Sequence, residues 1–188
     1  MNMNVLAVVA ATGLASVASA QVLLEFDLSV TDQITITSTG GLSAASASAS
    51  NFTGFLLADF FNDSSFSSGT GSGTGDLTTF SNPSDGSPSL FSNATSFGLN
   101  IWSFSTDSPV DVTAGSQAFT GSATWTVGAA EYAAMLAGNT SGDIYFGADT
   151  DDDIAAGAVF IGTYRVVPAP SALALLGLGG IVAGRRRR

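Results

Sequence analysis

At 188 residues, with no Cys, His or Lys, the chain reads as one domain between short terminal segments. Those absences exclude a disulfide scaffold, thiol or imidazole catalysis, Schiff-base chemistry and thiolate- or His-ligated metals. Four of the five basic residues are the run Arg185 to Arg188 and the fifth is Arg165, so the stretch between the ends sets one Arg against fifteen carboxylates, about −14, a charge that repels nucleic-acid phosphates and anionic lipid heads and attracts divalent cations.

At the N-terminus, Val5 to Ala18 is an apolar stretch of small and branched residues that closes on Ala18-Ser19-Ala20. Small side chains at Ala18 and Ala20 fit the pocket of a signal peptidase. Residues 1–20 are therefore expected to be a signal peptide and Gln21 the first residue of the mature chain. The preceding Met1-Asn2-Met3-Asn4 carries no Lys or Arg. Export follows from this reading.

Residues 21–166 are expected to form an all-β domain. In Leu24-Glu25-Phe26-Asp27-Leu28-Ser29-Val30 every second residue is apolar, the period of a half-buried strand, and Gln33-Ile34-Thr35-Ile36-Thr37 continues it. Phe119 to Val127 repeats the alternation with threonines on the solvent face. Phe97 to Ser105 is apolar but changes phase at Ile101-Trp102, the mark of a bulge or of a strand covered on both faces. Ala158 to Tyr164 is apolar on both faces and reads as a central strand. One helix is expected over Ala129 to Ala137, with Tyr132, Met135 and Leu136 as its packing stripe and Gly138 suited to the C′ position. Ser43 to Ser50 reads as a loop, and Ser64 to Ser89 as a long one punctuated by Phe66 and Phe80.

Thirteen Phe, three Tyr and two Trp supply the core, and a body of roughly 147 residues can bury about two-thirds of its unfolded surface. Roughly seven to ten strands with long loops predict an antiparallel β-sandwich, jelly-roll-like, with one short helix. The termini add an N-terminal signal helix and a C-terminal transmembrane helix.

Little in the body points to catalysis. A glycosidase needs only two carboxyl groups about 5–10 Å apart, but Glu25 and Asp27, which share a strand face, are expected on the solvent side. No catalytic residue is assigned, and the chain is expected not to be an enzyme. Asp149-Thr150-Asp151-Asp152-Asp153 is the one candidate site. Asp149, Asp151 and Asp153 can offer hard oxygen ligands to a weakly bound Ca2+, although Ile154 and Phe160 stand where an EF-hand requires Gly and Glu. The plainer reading is a solvated acidic turn between two strands. No other cofactor is expected. Asn51, Asn62, Asn93 and Asn139 open N-x-S/T patterns and mark surface loops. Trp102 and Trp125 suit sugar stacking, yet each lies in an expected strand, where core packing is the commoner fate.

The last segment, residues 167–188, differs in kind. Val167-Pro168-Ala169-Pro170-Ser171 leads into an apolar run from Ala172 to Gly184, then Arg185, Arg186, Arg187 and Arg188. As a helix the run is about 20 Å long against a hydrocarbon core of about 30 Å, and snorkelling Arg stems extend its reach. The arginines hold the cytoplasmic side, so the body faces outward, and the prolines leave an extended, protease-accessible segment before the membrane.

This tripartite tail resembles the PEP-CTERM sorting signal, with Ala169 where that family usually carries Glu; the resemblance covers Val167 to Arg188. It implies recognition and cleavage by an exosortase, a membrane-embedded transpeptidase-like enzyme, after transient anchoring in the inner membrane by the C-terminal helix. Cargo of this family goes to the cell surface or extracellular polysaccharide matrix of Gram-negative bacteria. The expected function is therefore that of a structural or adhesive surface or matrix protein. Its expected partners are signal peptidase, exosortase and extracellular polysaccharide, with no nucleic acid. The alternative is a secreted carbohydrate-binding module, which a row of solvent-facing aromatics on one sheet would favour; buried Trp102 and Trp125 would favour the structural protein. A retained tail anchor is the alternative to cleavage.

Overall fold

The computed structural model describes residues 21–63, 68–81, 87–92, 96–102 and 109–167. The expected signal peptide, with Ala18 and Ala20, and the expected tail from Pro168 to Arg188 lie outside the described residues. Among those described, no helix is long and apolar enough to cross a membrane.

In chain order the elements are β1 (Val22–Asp27), β2 (Gln33–Ser38), β3 (Ala49–Asn51), β4 (Phe55–Leu57), β5 (Ser68–Thr70), β6 (Thr74–Gly75), β7 (Thr78–Thr79) and β8 (Leu90–Ser92). They continue with β9 (Leu99–Ile101), β10 (Val110–Val112), β11 (Phe119–Thr120), β12 (Ser122–Thr126), α1 (Ala129–Ala137), β13 (Ser141–Phe146), α2 (Asp151–Ala156) and β14 (Val159–Val167). The fold is mostly β, as expected. One ten-stranded sheet runs β5-β8-β9-β4-β13-β14-β1-β2-β12-β6. It is mixed rather than antiparallel, because β1 lies parallel to β14, with Glu25 opposite Arg165 and Asp27 opposite Val167. The first strand and the last are sheet neighbours, and a parallel pair is the only way to join them when both run in the same direction.

The segment expected to be a long loop is woven into this sheet instead. β5 and β6 form its two edges, yet only Gly71 to Gly73 separate them. Laid flat, ten strands span roughly 43 Å, whereas the link from Thr70 to Thr74 reaches at most about 15 Å. The sheet must curl until its edges approach. Gly73 sits where the curl tightens: a Cβ there would lie 2.5 Å from the Trp125 ring.

The inner face of the curl holds the core. The alternation in β1, β2 and β12 places Leu24, Phe26, Ile34, Ile36, Ala123 and Trp125 inside. From β4, β9 and β13 come Phe55, Leu57, Leu99, Ile101, Ile144 and Phe146. Two small pairs, β3 with β10 and β7 with β11, add Val110, Val112 and Phe119 to the same cluster. β14 is central, as its two apolar faces predicted, with β13 and β1 on either side. The phase change at Ile101-Trp102 has a backbone cause. β9 ends at Ile101, and Trp102 adopts a left-handed conformation (φ 69°). That turn sends its ring into the core beside Ile101, stacked on Phe119 at 5.7 Å.

α1 has the expected bounds but not the expected stripe. Met135 is buried, and Tyr132 reaches in to donate its hydroxyl to the Leu28 carbonyl at 2.6 Å, while Leu136 is 54 % exposed. Gly138 is needed for a different reason from the one its position suggested. It is extended, not left-handed, and a side chain there would strike the Phe60 carbonyl.

Candidate functional site

The acidic stretch is not a turn between two strands but a short helix folded over the outer face of the sheet. β13 ends at Phe146, and Gly147, at φ 80°, turns the chain back. Ala148 then lies above Asn100, whose Nδ2 donates to the carbonyls of Ala148 at 2.9 Å and Thr53 at 3.2 Å. Asp151 accepts a hydrogen bond from the Phe97 amide at 2.9 Å. On this outer face Leu56 and Asn100 are both 0 % exposed although they point away from the core. The acidic segment thus crosses β9 on its second face, over Asn100.

The carboxylates serve that crossing. Asp153 accepts hydrogen bonds from the amides of Asp149 at 3.0 Å and Thr150 at 3.4 Å, closing the first turn of α2 around orphan donors. The Asp149 amide, more than anything else, holds the Asp153 carboxyl below the usual carboxylate range. Partial burial, and then the hydrogen bond and charge of Asp153, push Asp149 the other way. Asp152 is exposed. Asp151 and Asp153 thus lie near one another in sequence but address different backbone donors, and the Asp149 carboxyl turns to Asp153. Among the described residues, no group of three or more acidic side chains is placed to hold a metal ion. The signal for this was present in the sequence: Thr150-x-x-Asp153 has capping-box spacing. Asn100 had no such signal, because alternation says nothing about a strand with two covered faces.

Two clefts flank β3. One of about 280 Å³ lies against α2 and is lined by Ala49, Asn51, Gly147, Asp153, Ala156 and Val159. The other, of about 560 Å³, shares Ala49 and is lined by Ser48, Ser50, Ser81, Asp111 and Thr113. Neither is lined by a cation or an exposed aromatic ring.

The aromatics suited to sugar stacking are placed inside. Trp102 is 1 % and Trp125 3 % exposed, and Trp125 donates its indole N–H to the Pro88 carbonyl at 3.0 Å. On the outer face, Phe91, Tyr145 and Phe160 are half-buried, but Asn100 and Leu56, wholly covered, stand between Phe91 and Tyr145 across the strands. No continuous aromatic row forms there.

The remaining outer face, on β14, β1, β2 and β12, is polar and satisfies itself. Thr35 bonds Thr124 and Thr37 bonds Ser122, each at 2.8 Å. Arg165, the one cationic side chain among the described residues, donates to Glu25 (Nε to Oε1 2.8 Å) and forms an ion pair with it. Glu25 and Asp27 do share the outward face, but Glu25 is held by Arg165, and Asp27 is exposed, caps the Ser29 amide at 2.8 Å and lines neither of those two clefts. Three of the Asn residues that open N-x-S/T patterns use their amides to tie loops together. Asn51 accepts from the Thr53 and Gly54 amides, Asn62 donates to the Ala137 carbonyl, and Asn139 donates to that of Asp59.

Compared with protein-family models, curated protein sequences and solved structures, the chain matches none.

Proposed function

We propose that the chain is an exported structural or adhesive protein of a bacterial surface or extracellular polysaccharide matrix, delivered through a PEP-CTERM-type tail and without catalytic activity. The observation that carries the reading is the fate of the polar and aromatic groups in the body. Both tryptophans lie inside, Asp151 and Asp153 of the acidic segment accept from backbone amides, and Glu25 is held by Arg165. Among the described residues none of these groups is left poised for chemistry, while the two apolar ends flank a sheet whose first strand starts at Val22 and whose last ends at Val167. The curled sheet fits a jelly-roll-like sandwich whose inner faces meet in the shared core.

Fractionation of the native host with mass spectrometry of both termini tests delivery. The expected product starts at Gln21, ends near Pro168 and sits on the surface or in the matrix. Full-length chain in the cytosol would sink the reading. Pull-down on the host's own polysaccharide tests the alternative of a binding module: retention abolished by free oligosaccharide would favour that module. No cofactor is proposed. Ca2+ bound at Asp149, Asp151 and Asp153 would have to draw Asp151 and Asp153 from their backbone donors, so melting temperature is expected to stay the same with millimolar Ca2+ or with chelator.

A further inference from the structure

We infer that β14 is a mechanical anchor, through which tension entering the body at Val167 is carried in shear by two hydrogen-bonded ladders at once. It deepens the proposed function and rests on that reading in one respect, that the chain is held by the residues after Val167.

The topology makes the case. β14 is the strand that leads into the tail, and it is an inner strand, not an edge. It is registered with β1 from Val22↔Thr163 to Asp27↔Val167 and with β13 from Phe146↔Val159 to Ser141↔Arg165. Because β1 and β14 run parallel, Gln21 and Val167 leave the pair at opposite ends. A pull on Val167 away from the body therefore acts along the strand axis. To yield, β14 must slide past β1 and β13 together, straining every bond of both ladders at the same time. A strand peeled from its end loses its bonds one after another, which needs far less force.

Side chains along β14 oppose the slide. Ile161 and Tyr164 are 0 % exposed. The Tyr164 ring packs on Phe26 at 5.7 Å and on Phe60 at 5.5 Å, and its hydroxyl donates to the Ala58 carbonyl at 3.0 Å. A one-residue slip would turn both side chains out of the core. Gly162, at φ +152°, fits against Leu23, where a Cβ would lie 2.6 Å from the Leu23 side chain, so no neighbouring residue can slip into its place. At the near end, the Gln21 carbonyl accepts hydrogen bonds from the Thr163 amide at 3.0 Å and hydroxyl at 3.2 Å. At the far end, the Val166 amide donates to the Thr140 carbonyl at 2.7 Å.

Single-molecule force spectroscopy on the purified full chain tests this, and the absence of cysteine makes introduced thiols unique handles. One pair, S46C with V167C, places one handle near the start of β14, where the Ala44 amide bonds the Ile161 carbonyl, and the other at its exit, and loads the strand in shear. A47C serves as a second handle at that pole. The other pair, T31C with V167C, puts both handles at the exit of β14 and loads it by peeling. The expected result is a rupture force several-fold higher for the first geometry, with slower unfolding at equal load. Equal forces in the two geometries would overturn the proposal. The outcome is independent of delivery: a chain found uncut in the cytosol would sink the sorting reading and leave the force difference intact.

Discussion

On the outer face of the large sheet, β14, β1, β2 and β12 present Arg165, Glu25, Thr37 and Ser122 to solvent, whereas β8, β9, β4 and β13 carry Phe91, Asn100, Leu56 and Tyr145, with Asn100 and Leu56 wholly covered. The first half needs no cover, since its hydroxyls and its ion pair satisfy one another across the strands and remain accessible to water. The second half is covered, and the acidic segment from Gly147 to Ala156 supplies the cover over Asn100. The difference explains why so many carboxylates gather in one short stretch. Charges at the start of a helix that must lie on a sheet are stabilised by its free amides, and the exposed side of the same segment stays soluble.

Substitutions can break this contrast. Leu56→Ala is expected to have the largest effect, a loss of about 2–5 kcal/mol in chemical denaturation, as for a buried aliphatic side chain. A cost no larger than that of a surface change would mean that the cover does not pack. Asn100→Ala leaves the Ala148 and Thr53 carbonyls without their donor, at a cost of about 1–3 kcal/mol. It should also speed hydrogen exchange at the Phe97 amide, whose acceptor sits on the same segment. Normal protection there would show that the segment is held by something else.

Asp153→Asn removes the charge that closes the first turn of α2, for a loss of about 1 kcal/mol at neutral pH. The sign of its pH dependence follows from the lowered carboxyl. Its contribution is present above the unfolded pKa and fades as pH falls through the lower folded value, so wild type and variant should converge in acid. Asp149 works in the opposite sense. Its raised carboxyl favours the fold while protonated and loses that contribution as pH rises through the folded value. Asp149→Asn is therefore expected to raise the melting temperature slightly at neutral pH. Effects of the same sign for the two variants would rule out this division of roles. The smallest effect is expected on the open half, where Thr35→Val should stay within about 0.5 kcal/mol.

Local pattern was readable wherever one face of an element is wet. Leu24, Phe26, Ile34, Ile36, Ala123 and Trp125 went inside as their alternation required, and α1 occupies the predicted residues. The pattern failed in two kinds of place. Ser68 to Thr79 reads as loop because Ser, Gly and Thr have little to bury, yet the backbone groups of β5 and β6 find partners on strands distant in sequence. Leu136 belongs to the right helical stripe and still faces water, since Met135 and Tyr132 already fill the contact.

The sequence alone determined the all-β class, the inward residues of the amphipathic strands, the helix over Ala129 to Ala137 and the unequal distribution of charge, because each depends on the chemistry of near neighbours. It took the folded chain to show that the first and last strands pair in parallel, that the edges of the sheet approach through a three-residue link, and that the acidic segment crosses Asn100. Those features join residues far apart along the chain, and a pairing of that kind leaves no periodic mark on either partner.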